Sequence, residues 1–415
     1  MSGSATTGAA LQEHWAPLLR RLTAHSGRFD LAEEALADAY EQAVRTWGDA
    51  PPDNPAGWLF RTARNRLIDA VRSEQALSRR RHLLARVEAV EDAVVDPPQA
   101  SADDDRIELL WLACHPALAE EVRPILALRF VLGLETARIA SLFLISTPTL
   151  AARLTRAKKR IAAAGLATEG GFGAGGASDV AHALYLAYTA AYHATDQAVA
   201  ADVARLIANA ASAIDDPALR GLHALVTLTH ARRFARNPDP ATLVTLRDQD
   251  RAMWRHDEID AGLRVYASIE PGAGFAEELR VMATIAALHC LAPSFDATDW
   301  PAIDRAYAKL EALTGSPLAT LNRQAARASA GQTIDSDAVT GLMVELPHHY
   351  RVQVLAAHLQ LHNGETDKAR ATLNAAIARC PSPHERAALE AQLQRISRPV
   401  VPPAVPCQAG LASEP

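Results

Sequence analysis

Apolar residues recur three and four positions apart along almost the whole chain, and the polar breaks between these blocks divide it into helices. Residues 11–22 form a short amphipathic block. Residues 31–47 place Leu31, Ala35, Leu36, Ala39, Ala43 and Val44 on one side and Glu33, Glu34, Asp38 and Glu41 on the other. Residues 55–72 carry a stripe of Trp58, Leu59, Ala63, Leu67, Ile68 and Val71. Arg61, Arg64, Asn65, Arg66 and Arg72 occupy the rest of that circumference. Asn54 is a suitable cap for this helix, and Pro55 suits its first turn, where a missing N–H costs nothing. The preceding GDAPPDN, residues 48–54, is too rich in turn formers to be helical.

A second compact block spans residues 107–165. Its predicted core helix is 121–132, followed by a short helix at 136–143, a turn at 144–146 and a longer helix. Thr147 is expected to cap that last helix and Pro148 to take its first position. Leu150, Leu154, Ala157 and Ile161 mark its buried side. Thr149, Ala152, Arg153 and Arg156, then Lys158, Lys159 and Arg160, mark the other, with no acid between residues 151 and 165. This is the outline of a helix-turn-helix, in which the start of the second helix reads base edges and other cations hold phosphates. Base reading therefore falls to Thr149, Ala152 and Arg153, and phosphate contact to Arg156, Lys158, Lys159 and Arg160. From residue 179 onward, helices of about 12 to 18 residues alternate with short turns, the pattern of stacked helical hairpins.

Composition narrows the picture. The 415 residues are 49% hydrophobic and 22% charged, the range of globular chains, and alanine and leucine dominate over strand formers. The expected fold class is all-α. A net charge of −6 argues against indiscriminate coating of nucleic acid, so DNA binding must come from local patches. One such patch runs from Trp58 to Arg86, where eight arginines face only Asp69 and Glu74. A polyanion site and an ordinary solvated face both fit it. Residues 88–108 reverse the sign, with eight acids and only Arg106 against them, and Pro97 and Pro98 in the middle; this reads as a linker.

Cys114, Cys290, Cys380 and Cys407 show no paired spacing, which points to a reducing, cytoplasmic setting without disulfides. MSGSATTGAA lacks the features of an export signal, and no apolar run is long enough to span a membrane.

No catalytic or metal constellation is expected. Gly171, Gly173 and Gly176 satisfy GxGxxG, but no strand precedes them, and TEGGFGAGGAS, residues 168–178, reads as a flexible joint. His358 and His362 lack a third ligand. Cys114 and His115, as neighbours in sequence, diverge on a helix. Asp248, Asp250 and Arg251 read as a polar cluster that ties Trp254 in place, with a partner-binding surface as the alternative.

Two motifs carry a family resemblance. D-L-A-E-E-A-L-x-D-A-Y at residues 30–40 and W-L-x-x-x-A-R-N-x-x-I-D-x-x-R at residues 58–72 resemble region 2 of the extracytoplasmic-function sigma factors of bacterial RNA polymerase. The helix-turn-helix resembles region 4 of the same family, with Arg138 where members often have Glu and Leu144 in place of the usual turn glycine. CHPAL at residues 114–118, DQDRAMW at 248–254 and A-P-S-x-x-x-T-D-W ending at Trp300 extend the likeness to group 42, whose members carry a tetratricopeptide-like extension. Within residues 350–383, Gly364, Ala369, Leu373, Ala376 and Pro381 fall at the spacing of one such repeat.

The resemblance implies a region 2 domain at 10–86, an acidic linker at 87–106, a region 4 domain at 107–166 and a joint at 167–178. A tetratricopeptide-like domain would follow at 179–396 and a disordered tail at 397–415. It implies that Glu33, Glu34, Asp38 and Glu41 dock on core RNA polymerase, that Trp58, Arg61, Arg64, Asn65 and Arg72 act in minus-10 recognition and melting, and that the helix-turn-helix reads the minus-35 element of promoter DNA. The loop at 48–54 would capture a flipped base, and the acidic connector would thread the polymerase's nucleic-acid channel, a plain tether being the alternative. The carboxy-terminal helices would regulate through a protein partner or ligand. The expected function is thus promoter-specific initiation without enzymatic activity or cofactor. The rival is a helix-turn-helix regulator or repeat scaffold that works without the polymerase, which leaves the motifs at 30–72 unexplained.

Overall fold

In the computed structural model, residues 3–47, 52–78, 102–163, 176–194, 196–239, 243–380 and 383–396 are described. Among these every regular element is a helix. The chain divides into two compact units, one of Met1–Ala194 with Ser212–Ile214, the other holding Thr195–Ala211 and the chain from Asp215 onward.

The first unit opens with α1 (Gly3–Ser26), α2 (Phe29–Trp47) and α3 (Pro55–Ser78), which pack on one another. Asn54 caps α3 as the sequence predicts, its Oδ1 accepting the Gly57 N–H at 2.8 Å. Leu59, Ala63, Leu67, Ile68 and Val71 are buried as expected. Phe60 joins them, and Trp58 is only half-buried, edge-on to Trp47 at 5.1 Å. Next comes α4 (Ala102–Ala113), so the last residues of the expected linker are helical. The linker before residue 102, the arginines after residue 78 and the tail from 397 lie outside the described residues.

The core helix expected at 121–132 is broken in three. A 3₁₀ turn, Glu120–Val122, leads into α5 (Arg123–Leu126), which passes into a π turn at Ala127–Val131. Pro124, which has no N–H to donate, accounts for the break at its start. The helix-turn-helix follows as α6 (Thr136–Leu142) and α7 (Thr147–Ala163), and α8 (Gly176–His193) completes the unit. Because α8 begins at Gly176, the last residues of the expected joint belong to it. A Cβ at Gly176 would fall 1.9 Å from the Trp111 ring, so only glycine lets α8 start against that indole.

The second unit contains α9 (Gln197–Ala213), α10 (Pro217–His230), the single turn α11 (Arg233–Arg236), α12 (His256–Ala267), α13 (Gly274–Leu291), α14 (Trp300–Thr314), α15 (Pro317–Ser329), α16 (Ser336–Glu345), α17 (Tyr350–His362), α18 (Thr366–Arg379) and α19 (Pro383–Ile396). Asp216, Asp299, Ser316 and Asp335 each accept an N–H of the helix they precede, with proline in the first turn of α10, α14 and α15. From α13 to α19 successive helices pack on their neighbours, and one core runs from Leu321 and Ala325 through Leu355 to Ala369, Leu373, Ala376 and Leu389. The first two helices after residue 175, α8 and most of α9, fall in different units.

Close packing in this unit relies on small residues. A Cβ on Gly262 of α12 would lie 2.8 Å from Leu228 Cγ of α10. Gly262→Ala is therefore expected to destabilise the chain by about 1–3 kcal/mol, read as a lower urea midpoint of the transition that includes these helices.

Candidate nucleic-acid faces and the tie between them

Two helices expose the cations that the sequence singles out. On α3, Arg61, Asn65 and Arg72 are exposed and Arg64 half-buried. Arg61 Nε donates to the Gly57 carbonyl, which holds its side chain along the helix start beside Trp58. Arg66 instead donates to Asp38 Oδ2 at 3.0 Å and Gln42 Oε1 at 3.1 Å, tying α3 to α2. Of the loop before α3, Pro52, Asp53 and Asn54 are described and non-helical.

On α7, Leu150, Leu154, Ala157 and Ile161 face inward, while Thr149, Ala152, Arg156, Lys159 and Arg160 are exposed and Arg153 half-buried. The cap lies one residue earlier than expected. Ser146 Oγ accepts the Thr149 N–H at 3.3 Å and pairs with Thr149 Oγ1 at 2.7 Å, and Thr147 is the first helical residue. Leu144 supplies the turn with φ of 53°, in the left-handed region usually given to glycine, and its side chain is 91% exposed.

The acidic set on α2 divides. Glu34, Asp38 and Glu41 lie on the exposed side, whereas Glu33 is buried, with its side chain 4% exposed. Phe29, Ala32, Glu33 and Leu36 stand at helical spacing on the buried face, which is why Glu33 departs from its acidic neighbours. Its Oε1 accepts from Arg129 Nε at 2.6 Å and its Oε2 from Lys158 Nζ at 3.0 Å. Lys158, expected on DNA, is thereby drawn onto α2, with Glu34 a further 3.8 Å neighbour. Burial pushes the Glu33 carboxyl up, but Arg129 and Lys158 outweigh it and hold the group below the usual carboxylate range.

Around this pair, Trp15 Nε1 donates to the Phe130 carbonyl at 3.0 Å, Phe29 meets Phe130 edge-on at 4.4 Å, and the Arg129 guanidinium lies over Trp15. Local spacing does not single out Arg129. Its signal was a lone charge inside the apolar run at 124–134, which can be buried only with a partner.

The remaining landmarks are built as ties. Arg123 donates to the carbonyls of Leu118 and Pro116 in CHPAL and to Asp179 Oδ1 of α8 at 2.8 Å. Cys114 is fully buried and its thiol is pushed up by that burial, which suits a packing role rather than a nucleophile. In the second unit Arg251 Nη1 donates to the carbonyls of His289 and Ala292, and buried Trp254 lies under its guanidinium. Among the described residues no group of three potential ligands could hold a metal ion.

Residues 11–77 match the family model for Sigma-70 region 2 and residues 108–161 that for Sigma-70, region 4; residues 177–269 match a family of unknown function, DUF6596. The chain thus carries sigma-factor domains, which support a sigma-factor-like role in transcription initiation. Such domains imply core RNA polymerase and promoter DNA as partners, and sigma factors are non-enzymatic DNA-binding regulators. The chain belongs to the same family as the uncharacterized protein R00370 of Rhizobium meliloti (strain 1021), to which it is 33% identical over 389 residues, 89% of this chain and 90% of that protein. It is also 31% identical over 127 residues to the ECF RNA polymerase sigma factor SigK of Mycobacterium ulcerans (strain Agy99), covering 30% of this chain and 66% of that protein. No solved structure matches. Among the described residues no helix is long and apolar enough to cross a membrane.

Two outcomes follow from this geometry. Leu144→Gly is expected to raise stability by about 1 kcal/mol, because a side chain in the left-handed region costs ~1–2 kcal/mol and this one is exposed; chemical unfolding measures it. Since Glu33 is held below its ordinary range, its ionised form is favoured by folding. That contribution is present at neutral pH and lost as pH falls through the carboxylate range. Glu33→Gln should therefore cost about 3–5 kcal/mol at neutral pH, and the gap between variant and wild type should narrow on acidification.

Proposed function

We propose that the chain is a sigma factor of the extracytoplasmic-function type that binds core RNA polymerase and directs promoter-specific initiation. In this reading Trp58, Arg61, Arg64, Asn65 and Arg72 engage the minus-10 element and the melted strand. Thr149, Ala152 and Arg153 read the minus-35 element, and Arg156, Lys159 and Arg160 hold its phosphates. Glu34, Asp38 and Glu41 dock on the polymerase. The observation that carries the proposal is the pairing of two cationic helix faces, α3 and α7, in the two domains whose order and spacing match regions 2 and 4. Melting requires binding energy directed to a separated strand, and cationic contacts with stacking on Trp58 could supply it.

The tie through Glu33 adds a step. Elements named for positions minus-10 and minus-35 lie roughly 25 base pairs apart, or about 85 Å along B-form DNA, whereas here the two domains touch through Glu33, Arg129 and Lys158. Engaging both elements would separate them, expose Glu33 to the polymerase and return Lys158 to the phosphates. The carboxy-terminal helices, read as the tetratricopeptide-like extension of group 42, would regulate that opening. Burial of Ala369, Leu373 and Ala376, with Gly364 at φ of 78° after α17, supports the repeat reading.

Run-off transcription with purified core polymerase tests the proposal. Core-dependent, promoter-specific transcripts are expected, together with co-elution of chain and polymerase; specific DNA binding without either would replace the proposal with a stand-alone regulator. Arg153→Ala should cost about 1–3 kcal/mol in promoter affinity and relax specificity, while Arg156→Ala should weaken binding evenly across sequences. Truncation after Ala194, which keeps α8 with its own unit, should alter regulated transcription. Unchanged activity under all conditions would remove the regulatory role.

A further inference from the structure

In the second unit buried charge is generally compensated. Arg233 pairs with Glu258, Arg323 with Asp304 and Glu311, Arg351 with Glu385, and buried Glu277 accepts from Arg280, Lys309 and the Gly272 N–H. One cluster breaks this rule. Arg232, immediately after α10 and only 5% exposed, lies with its guanidinium carbon 5.7 Å from the Trp254 ring centroid. Arg251 approaches the same ring at 4.3 Å. Among the described residues no carboxylate pairs with either.

Unpartnered polar atoms gather at the same place. Arg232 Nε, Arg251 Nη2 and Trp254 Nε1 are buried without an acceptor, and both ring nitrogens of His289, a residue with 0% exposure, are without a partner. The acids of the DQDR run do not serve them. Asp248 accepts from Thr245 and lies near Arg395, and Asp250 caps the short turn by accepting the Ala252 N–H. Two like charges on one ring, Arg232 buried and Arg251 half-buried, with donors left unsatisfied, is an arrangement that folding alone disfavours. Burial first, then the charges of Arg232 and Arg251, push the His289 imidazole well below its usual range.

We propose that Arg232, Arg251, Trp254 and His289 form a binding site for a small oxyanion, the carboxylate or phosphate of a metabolite. A single anion would neutralise the like charges and supply acceptors to planar guanidinium forks suited to carboxylate and phosphate oxygens. Trp254 would form the apolar wall, as indole does beside paired guanidinium groups. Arg251 also has a structural duty through its bonds to the His289 and Ala292 carbonyls. Arg232 makes no such tie, so it is the residue to vary. Anion binding stands or falls independently of any role in transcription.

The test is thermal unfolding of the full chain in zwitterionic buffer, titrated with phosphate, with citrate, and with sodium chloride at matched ionic strength. Wild type should show a saturable rise in Tm of several degrees at millimolar phosphate or citrate, beyond the chloride control. The stronger of the two separates phosphate from carboxylate as the preferred group. Arg232→Gln should abolish the saturable rise while melting no lower than wild type without anion, because an unpaired buried charge has been removed. Equal shifts in wild type and variant, or none in wild type, would overturn the site. So would an Arg232→Gln variant that melts lower yet retains the wild-type response to anion, which would make Arg232 a packing residue.

Discussion

A carboxylate inside a protein must be paired, and the pairing of Glu33 decides how the first unit is assembled. Its two oxygens are shared between Arg129 of the π turn and Lys158 of the second helix of the helix-turn-helix. Those partners lie 96 and 125 residues further along the chain, in the domain beyond the linker. The contact therefore joins two modules that are separate in sequence. Trp15 lies against the Arg129 guanidinium and bonds to the Phe130 carbonyl, and Phe29 meets Phe130, so aromatic packing adjoins the ion pairs. Without the cations, Glu33 would be an uncompensated charge in an apolar seam. Without Glu33, Arg129 would be one.

The same seam separates what the sequence made legible from what it did not. The helical class, the cap at Asn54, the apolar stripe of α3 and the inward face of α7 follow from local spacing, and each is found where that spacing puts it. Glu33 was grouped with Glu34, Asp38 and Glu41 because acids cluster there. A stricter reading of the period would have placed it with Phe29, Ala32 and Leu36. Lys158 likewise sits among basic neighbours, yet it stands four residues after Leu154 and three before Ile161, on the margin of the buried stripe. Charge clustering describes composition, whereas burial depends on angle around the helix.

Other differences come from tertiary contacts that no local pattern encodes. The start of α8 at Gly176 is fixed by the Trp111 indole, more than sixty residues earlier in the chain. CHPAL gives no hint in sequence that its carbonyls receive Arg123. DQDRAMW was legible as a polar tie around Trp254, and Arg251 does bond to the end of α13. Arg232, in the turn between α10 and α11, and His289, within α13, are the other members of that neighbourhood, and a single polar residue at either place carries no positional signal.

The place of α8 bears on how such chains are inherited. By similarity it travels with the carboxy-terminal family, whose matched stretch starts at residue 177. By packing it belongs with the amino-terminal unit, where Asp179 receives Arg123 and Gly176 admits Trp111. A recombination event that exchanged the extension at the glycine stretch would also replace the helix that covers this tryptophan and arginine. The extension as the family match bounds it thus includes a helix whose packing partners lie in the amino-terminal unit.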